Sequence, residues 1–189
     1  MTGRWRLAAL FAVQALALIY MIADRQWTLA LGTPVVLATQ PVDPRSLFSG
    51  DYVRLRYDIS RLELAALGGE HEFRRFDLVY VRLRRGELAW QPVSVHAAMP
   101  VAVPEQVVVR GEVIGTSPDR ISSAPVEQRY LEVRYGIESY FVPEGTGRAI
   151  ERPAAGETVS IRVAVDARGR AAIQALLVNG KERYVEQLF

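Results

Sequence analysis

The chain has 189 residues with no cysteine and two histidines, a composition that excludes disulfides, thiolate catalysis and a histidine-rich metal site. Its formal net charge of +2 resides in residues 1–25, because the 20 basic and 20 acidic residues of the remaining chain balance. A basic surface for nucleic acid is therefore not expected, and no cofactor or metal ion is predicted.

The N-terminal segment has the length and composition of a membrane-spanning helix. Arg4 and Arg6 precede 17 residues without a charge. Residues 5–23 would form a helix about 28 Å long at about 1.5 Å per residue, close to the thickness of a hydrocarbon core. Since basic residues favour the cytoplasmic side, we predict a single-pass anchor (residues 1–25) in the inner membrane. Residues 5–23 would contact the lipid bilayer, with the N-terminus inside and the C-terminal domain in the periplasm. The alternatives are a cleaved signal peptide and the core helix of a soluble protein.

Beyond the anchor, residues 26–33 are predicted as a juxtamembrane linker and residues 34–189 as an extracytoplasmic β domain. Apolar and polar residues alternate in short segments, which is the two-residue period of a strand, and glycine and proline mark the turns. Residues 61–67 are expected to form helical turns. About seven to nine strands with little helix predict a mainly β fold, an antiparallel sandwich or a barrel-like domain. The predicted strands are residues 34–39, 51–60, 77–84, 88–97, 106–114, 128–135, 159–165, 171–178 and 181–189.

Residues 50–57 read Gly-Asp-Tyr-Val-Arg-Leu-Arg-Tyr and match the pattern G-D-Y-x-x-L-x-Y. With this motif, and with the segments at residues 42–45 and 135–145, the chain resembles the GDYXXLXY family of bacterial membrane-associated proteins. The function of that family is uncharacterised. Because its members are often encoded beside multi-spanning membrane proteins, the resemblance implies a membrane-protein partner, and it carries over no catalytic residue.

Most of the motif has a structural explanation. Gly50 suits a backbone geometry that a side chain would obstruct, and Asp51 can cap backbone N–H groups in the turn before the strand. Leu55 and Tyr57 have the parity of core residues, whereas Tyr52 has the opposite parity. Asp51 and Tyr52 are therefore the motif residues that are also candidates for a binding site.

The aperiodic segment at residues 138–144 is a second candidate binding site. Its Glu138, Tyr140 and Glu144 could bind a cation, a sugar or a basic peptide, and a pair of carboxylates could serve glycoside hydrolysis. The structural alternative is a buried Glu138 that accepts hydrogen bonds from backbone amides near a bulge. His96 is expected to lack the neighbouring serine and acid that a catalytic triad requires.

These features predict no catalytic residue. The expected function is that of a membrane-anchored extracytoplasmic binding or interaction domain, an accessory partner of another membrane protein. The alternative is a carboxylate-dependent envelope hydrolase. That alternative requires the carboxylates of Asp51, Glu138 and Glu144 to converge in one cleft with shifted pKa values.

Overall fold

The structure is a computed structural model that describes residues 2–40, 52–117, 129–141 and 157–186. These residues form one long α-helix, two single turns of 3₁₀ helix and thirteen β-strands. The helix α1 is Thr2–Leu31, and the 3₁₀ turns are Asp58–Ser60 and Leu64–Ala66. The strands are β1 (Thr33–Gln40), β2 (Tyr52–Arg54), β3 (Arg56–Tyr57), β4 (Arg61–Glu63), β5 (Gly68–Gly69), β6 (Leu78–Arg85), β7 (Trp90–His96), β8 (Gln106–Ser117), β9 (Tyr130–Arg134), β10 (Ser139–Phe141), β11 (Val159–Val165), β12 (Ala171–Val178) and β13 (Lys181–Val185).

The predicted anchor forms the first part of α1, which continues beyond the predicted span. Between Arg4 and Gly32 the sequence contains no glycine or proline that would interrupt a helix. Trp5–Leu31 is long and apolar enough to cross a bilayer. Its large apolar side chains other than Leu29 are 56–78% exposed. Residues 26–31, which were expected to be a linker, are helical.

Two large sheets share one hydrophobic core, and β2 and β10 form a further two-stranded sheet. The first has five strands in the order β13-β12-β11-β1-β3, all paired antiparallel. The second has six strands in the order β4-β9-β8-β6-β7-β5, antiparallel except for the short β5–β7 pair. This arrangement confirms the mainly β fold with one N-terminal apolar helix. Fully buried core residues include Val35, Leu37, Ile161, Val163 and Leu176 from the first sheet and Val79, Val81, Leu83, Val109 and Leu131 from the second.

Alternation along the sequence predicts side-chain orientation correctly in the long strand β6. Val79, Val81 and Leu83 are fully buried, while Tyr80 and Arg82 between them are half-exposed. The period-two pattern thus identifies the core face of this strand before any pairing is known.

The motif segment differs from its prediction. Residues 51–60 were expected to form one strand, but β2 pairs with β10 whereas β3 pairs with β1 of the five-stranded sheet. Between β2 and β3, the backbone N–H of Leu55 donates to the carbonyl of Glu138 at 2.8 Å. One continuous strand does not form because successive residues pair with different partner strands. Residues 61–67 also differ, since they contain β4 as well as a single 3₁₀ turn.

Candidate functional site

The two segments that carry the sequence motifs lie together in the fold. In the β2–β10 pair, Val53 lies opposite Tyr140 and Tyr52 lies opposite Phe141. We call residues 52–60 together with residues 135–141 the motif corner. The structure therefore joins two segments about which the sequence made separate predictions.

Two tyrosine hydroxyls, one from each segment of the motif corner, donate hydrogen bonds to the backbone of the other segment. The hydroxyl of Tyr57 donates to the carbonyl of Ile137 at 2.6 Å, and the hydroxyl of Tyr135 donates to the carbonyl of Ile59 at 2.8 Å. Burial, followed by the charge of Glu138, raises the pKa of both hydroxyls. Both tyrosines therefore remain protonated and serve as hydrogen-bond donors inside the fold.

Glu138 closes the turn that presents Ile137 to Tyr57. Its Oε1 accepts a hydrogen bond from the backbone N–H of Tyr135 at 2.5 Å, and its Oε2 accepts one from Gly136 at 2.9 Å. Gly136 has a φ of +79°, a conformation that favours glycine. These bonds agree with the structural alternative for Glu138, although the side chain is only half-buried. The carboxylate acts as a cap for backbone amides.

The remaining predicted site residues are placed as follows. Leu55 and Tyr140 are core residues, and burial, followed by the charge of Glu186, raises the pKa of Tyr140. The structure describes the backbone of Tyr52 but not its side chain. Gly50, Asp51 and Glu144 lie outside the described residues, so that the binding roles proposed for Asp51, Tyr52 and Glu144 stay predictions.

A serine does lie beside His96, contrary to expectation. Ser94 Oγ is 2.9 Å from His96 Nε2, because residues two apart on β7 share one face of the sheet. Burial, followed by the charge of Arg82, lowers the pKa of His96, while the nearby carboxylate of Glu70 opposes this effect. Within the described ranges, no three histidine, aspartate or glutamate side chains are placed to hold a metal ion.

A second polar cluster, which the sequence analysis missed, joins α1 to the β domain. The carboxylate of Asp24 forms an ion pair with the guanidinium of Arg170 through two hydrogen bonds. Arg170 Nε also donates to Asp166 Oδ2 at 2.7 Å. Both carboxylates raise the pKa of Arg170. The one sequence signal was a charged residue, Asp24, directly after the apolar span.

The last two turns of α1 pack on β11 and β12. Gln174 Nε2 donates to the carbonyl of Leu29 at 2.8 Å, and Arg25 Nη1 donates to that of Ala171 at 3.3 Å. Thr28 and Leu29 are buried. We call residues 24–32 together with residues 166–174 the anchor junction. These contacts set the direction of the helix relative to the domain.

A groove of about 430 Å³ lies between α1 and the turn that connects β11 to β12. The helix contributes an exposed apolar face to it, and the turn contributes charged residues. The lining includes Tyr20, Ala23, Trp27 and Leu31 from α1 and Asp166, Ala167, Arg168 and Arg170 from the turn.

An open cleft of about 820 Å³ lies elsewhere, beside residues 72–77 and the far end of β8. Next to it, Phe76 has a φ of +74° and a 65% exposed side chain. A bulky residue seldom adopts this conformation. The backbone is held by the hydrogen bond from Phe76 N–H to the carbonyl of Val113 at 2.7 Å. Nothing in the sequence pattern distinguished Phe76 from a core residue.

The model of the family described as GDYXXLXY protein matches residues 14–176. No curated protein and no solved structure matches the chain. The matched range includes the motif corner and most of α1.

Proposed function

We propose, from the premise that the chain belongs to the GDYXXLXY family, that it is a membrane-anchored interaction domain and an accessory partner of another membrane protein. Its helix would be an uncleaved signal anchor in the inner membrane, with the N-terminus inside and the β domain in the periplasm. The basic residues Arg4 and Arg6 support this orientation, because basic residues favour the cytoplasmic side.

The exposure of α1 is the observation that carries this proposal. Its large apolar side chains, except Leu29, lie outside the protein core. A core helix of a soluble protein would bury such side chains, and each one left in water costs roughly 1.5–3 kcal/mol relative to burial. Lipid is the environment that suits this surface.

The hydrogen bonds of the motif corner favour an interaction domain over a hydrolase. Both carboxylate oxygens of Glu138 accept backbone N–H bonds, and the hydroxyls of Tyr57 and Tyr135 donate to backbone carbonyls. Groups with these partners stabilise the fold, and general acid–base catalysis needs a group that can reach a substrate.

The surface around Phe76 supports contact with a partner protein. Its ring is exposed on a backbone conformation that costs free energy for a bulky residue. The side chains of Leu78 and Ile114 are also exposed apolar groups. An aromatic side chain held in the open is a common anchor of protein interfaces.

Site-specific crosslinking in native membranes tests the proposal. A photoreactive amino acid would replace Phe76 in the full-length chain, with the matched control at Leu88, which is 90% exposed in the β6–β7 turn. We expect a crosslink to another membrane protein from position 76 and none from position 88. Recovery of the chain only as a free monomer in several mild detergents, without a crosslink, contradicts the proposal.

The membrane placement is tested separately. We expect the chain to resist carbonate extraction and to retain its N-terminus in mass spectrometry of the mature protein. A C-terminal alkaline phosphatase fusion should be active, since that enzyme requires an oxidising compartment. An inactive fusion together with an active cytoplasmic reporter contradicts the orientation.

A further inference from the structure

The apolar part of α1 is longer than the hydrocarbon core of a bilayer. Trp5–Leu31 comprises 27 residues, which extend about 40 Å at about 1.5 Å per residue. A hydrocarbon core is about 30 Å thick, and the headgroup layers bring a bilayer to about 40–45 Å. With the N-terminal arginines at the inner surface, the last turns of α1 lie in the outer headgroup layer.

The groove at the anchor junction extends from this depth, at Trp27 and Leu31, towards the hydrocarbon core at Tyr20, which lies about two turns nearer the N-terminus. Its helix wall includes the exposed rings of Tyr20 and Trp27 and the side chain of Leu31, which share one helical face. Tyrosine and tryptophan prefer the headgroup level because their rings are apolar and their polar atoms can hydrogen-bond. The opposite face of the helix packs on β11 and β12, so that this face is left for lipid.

The two guanidinium groups of the groove differ in their partners. Arg170 is bound by the carboxylates of Asp24 and Asp166. The side chain of Arg168 is exposed, and among the described residues no hydrogen bond or ion pair engages it. A guanidinium matches the geometry and charge of a phosphodiester, to which it can donate two hydrogen bonds.

The turn that carries Arg168 is held rigidly. Asp166 Oδ1 accepts hydrogen bonds from the backbone N–H groups of Arg168 at 2.9 Å and Arg170 at 2.8 Å. The carbonyl of Gly169 accepts a hydrogen bond from the N–H of Arg110 on β8 at 2.7 Å. The backbone of Arg168 is therefore positioned before any ligand binds, which reduces the part of the entropic cost of binding that comes from ordering the turn.

We propose that this groove binds one phospholipid of the outer leaflet, with its phosphodiester on Arg168 and an acyl chain beside Trp27 and Tyr20. This inference rests on the membrane anchor of the proposed function, but it requires no partner protein. The net charge of the lining side chains Asp24, Asp166, Arg168 and Arg170 is zero. Arg170 forms ion pairs with both carboxylates, and Arg168, whose charge acts on Asp24 without a hydrogen bond to it, is the guanidinium that can donate to a phosphate.

Native mass spectrometry of the full-length protein in mild detergent tests this site. We expect a wild-type population with about one bound phospholipid, and about tenfold weaker retention for Arg168→Ala, as loss of a charge-assisted hydrogen bond implies. Arg183→Ala is the matched control, because Arg183 is an exposed arginine of β13 outside the groove. This control should retain lipid as the wild type does.

One further variant and one competing ligand make the result unambiguous. Trp27→Ala leaves Arg168 in place but removes an apolar wall, and we expect it to retain less lipid than the wild type. Glycerol phosphate without acyl chains should not displace the lipid. Equal retention by Arg168→Ala and the wild type overturns the proposal, as does displacement by glycerol phosphate or a protein found in the groove by crosslinking at position 168.

The two proposals fail in different ways. If Arg168→Ala and the wild type both resist carbonate extraction but bind lipid equally, the groove proposal is wrong and the anchor remains. If the wild type is removed from membranes by carbonate, the anchor itself is wrong, and the lipid site falls with it.

Discussion

The motif corner and the anchor junction use similar polar groups for different purposes. In the motif corner, the hydroxyls of Tyr57 and Tyr135 and the carboxylate of Glu138 bind backbone groups of the same domain. In the anchor junction, Asp24 and Arg170 join two separate parts of the fold beside an exposed apolar groove. Among the described residues, the polar groups of the motif corner stabilise the fold, whereas the exposed groove that we propose as a lipid site lies where helix and domain meet.

Removal of a motif core side chain has the largest expected effect on stability. Leu55→Ala would leave a cavity in the core, and such substitutions reduce the free energy of unfolding by about 2–5 kcal/mol. Urea unfolding of the full-length protein in detergent, followed by circular dichroism, measures the change. Leu88→Ala, at a 90% exposed position, should stay within about 0.5 kcal/mol of the wild type. Similar losses in both variants would contradict a structural role for Leu55.

Removal of one hydroxyl from the motif corner has the next largest effect. Tyr57→Phe leaves the buried carbonyl of Ile137 without its donor, and we expect the free energy of unfolding to fall by about 1–3 kcal/mol. The control is Tyr80→Phe, since the hydroxyl of Tyr80 makes no hydrogen bond within the part of the chain that the structure describes. An unchanged unfolding midpoint for Tyr57→Phe would mean that the hydrogen bond does not stabilise the corner.

A substitution at Gly32 separates the anchor junction from the domain. An added Cβ would lie 2.5 Å from the carbonyl oxygen of Thr28 and 2.9 Å from Ala164 Cβ. We expect Gly32→Ala to loosen the packing of α1 at a cost of about 1–3 kcal/mol. Hydrogen exchange should increase in residues 24–31 while the motif corner keeps its protection.

The matched control for this prediction is Gly68→Ala. An added Cβ at Gly68 would meet its nearest atom, the carbonyl oxygen of Val93, at an ordinary 3.6 Å. Hydrogen exchange in residues 24–31 should therefore remain at its wild-type rate. If Gly32→Ala leaves that rate unchanged as well, α1 does not depend on the close approach at Gly32.

The smallest expected effect is a pH dependence at His96, which lies in neither region. Burial and the charge of Arg82 lower its pKa in the folded state, so that the unfolded chain takes up a proton first as the pH falls. The free energy of unfolding should therefore decrease as the pH falls below about 6.5, and level off below the folded-state pKa. Unfolding in detergent between about pH 8 and pH 5 measures this.

His96→Gln should remove that component of the pH dependence, and His71→Gln should retain it. A pH dependence that is identical in His96→Gln and the wild type would assign the effect to other groups. Neither variant is expected to change the exposure of the groove, because both histidines lie outside its lining.

Local patterns predicted the elements better than their connections. The charge-free segment predicted an apolar helix, and alternation predicted the buried residues Val79, Val81 and Leu83 of β6. The helix end was predicted too early, because the charge of Asp24 was interpreted as the end of a helix that continues to Leu31. A charge ends a lipid-compatible surface, whereas a helix ends where its backbone is interrupted.

The candidate sites were predictable only in part. Alternation identified Tyr57 as a core residue, and the structural alternative for Glu138, a carboxylate that accepts hydrogen bonds from backbone amides, agrees with its contacts. The same reasoning missed the contact of Ser94 with His96, although both lie on one face of β7. It also missed the exposure of Phe76, because this exposure depends on a backbone conformation that no residue pattern predicts.

The sequence by itself determined that an apolar helix precedes a series of short strands, and which face of a strand such as β6 is buried, because neighbouring residues encode these periodicities directly. Only the tertiary structure decided that β2 and β3 join different partner strands, and that Asp24 meets Arg170 across 146 residues. Contacts at such separations depend on the packing of whole sheets and of a helix against them. Such contacts stabilise the fold only once those surfaces have come together.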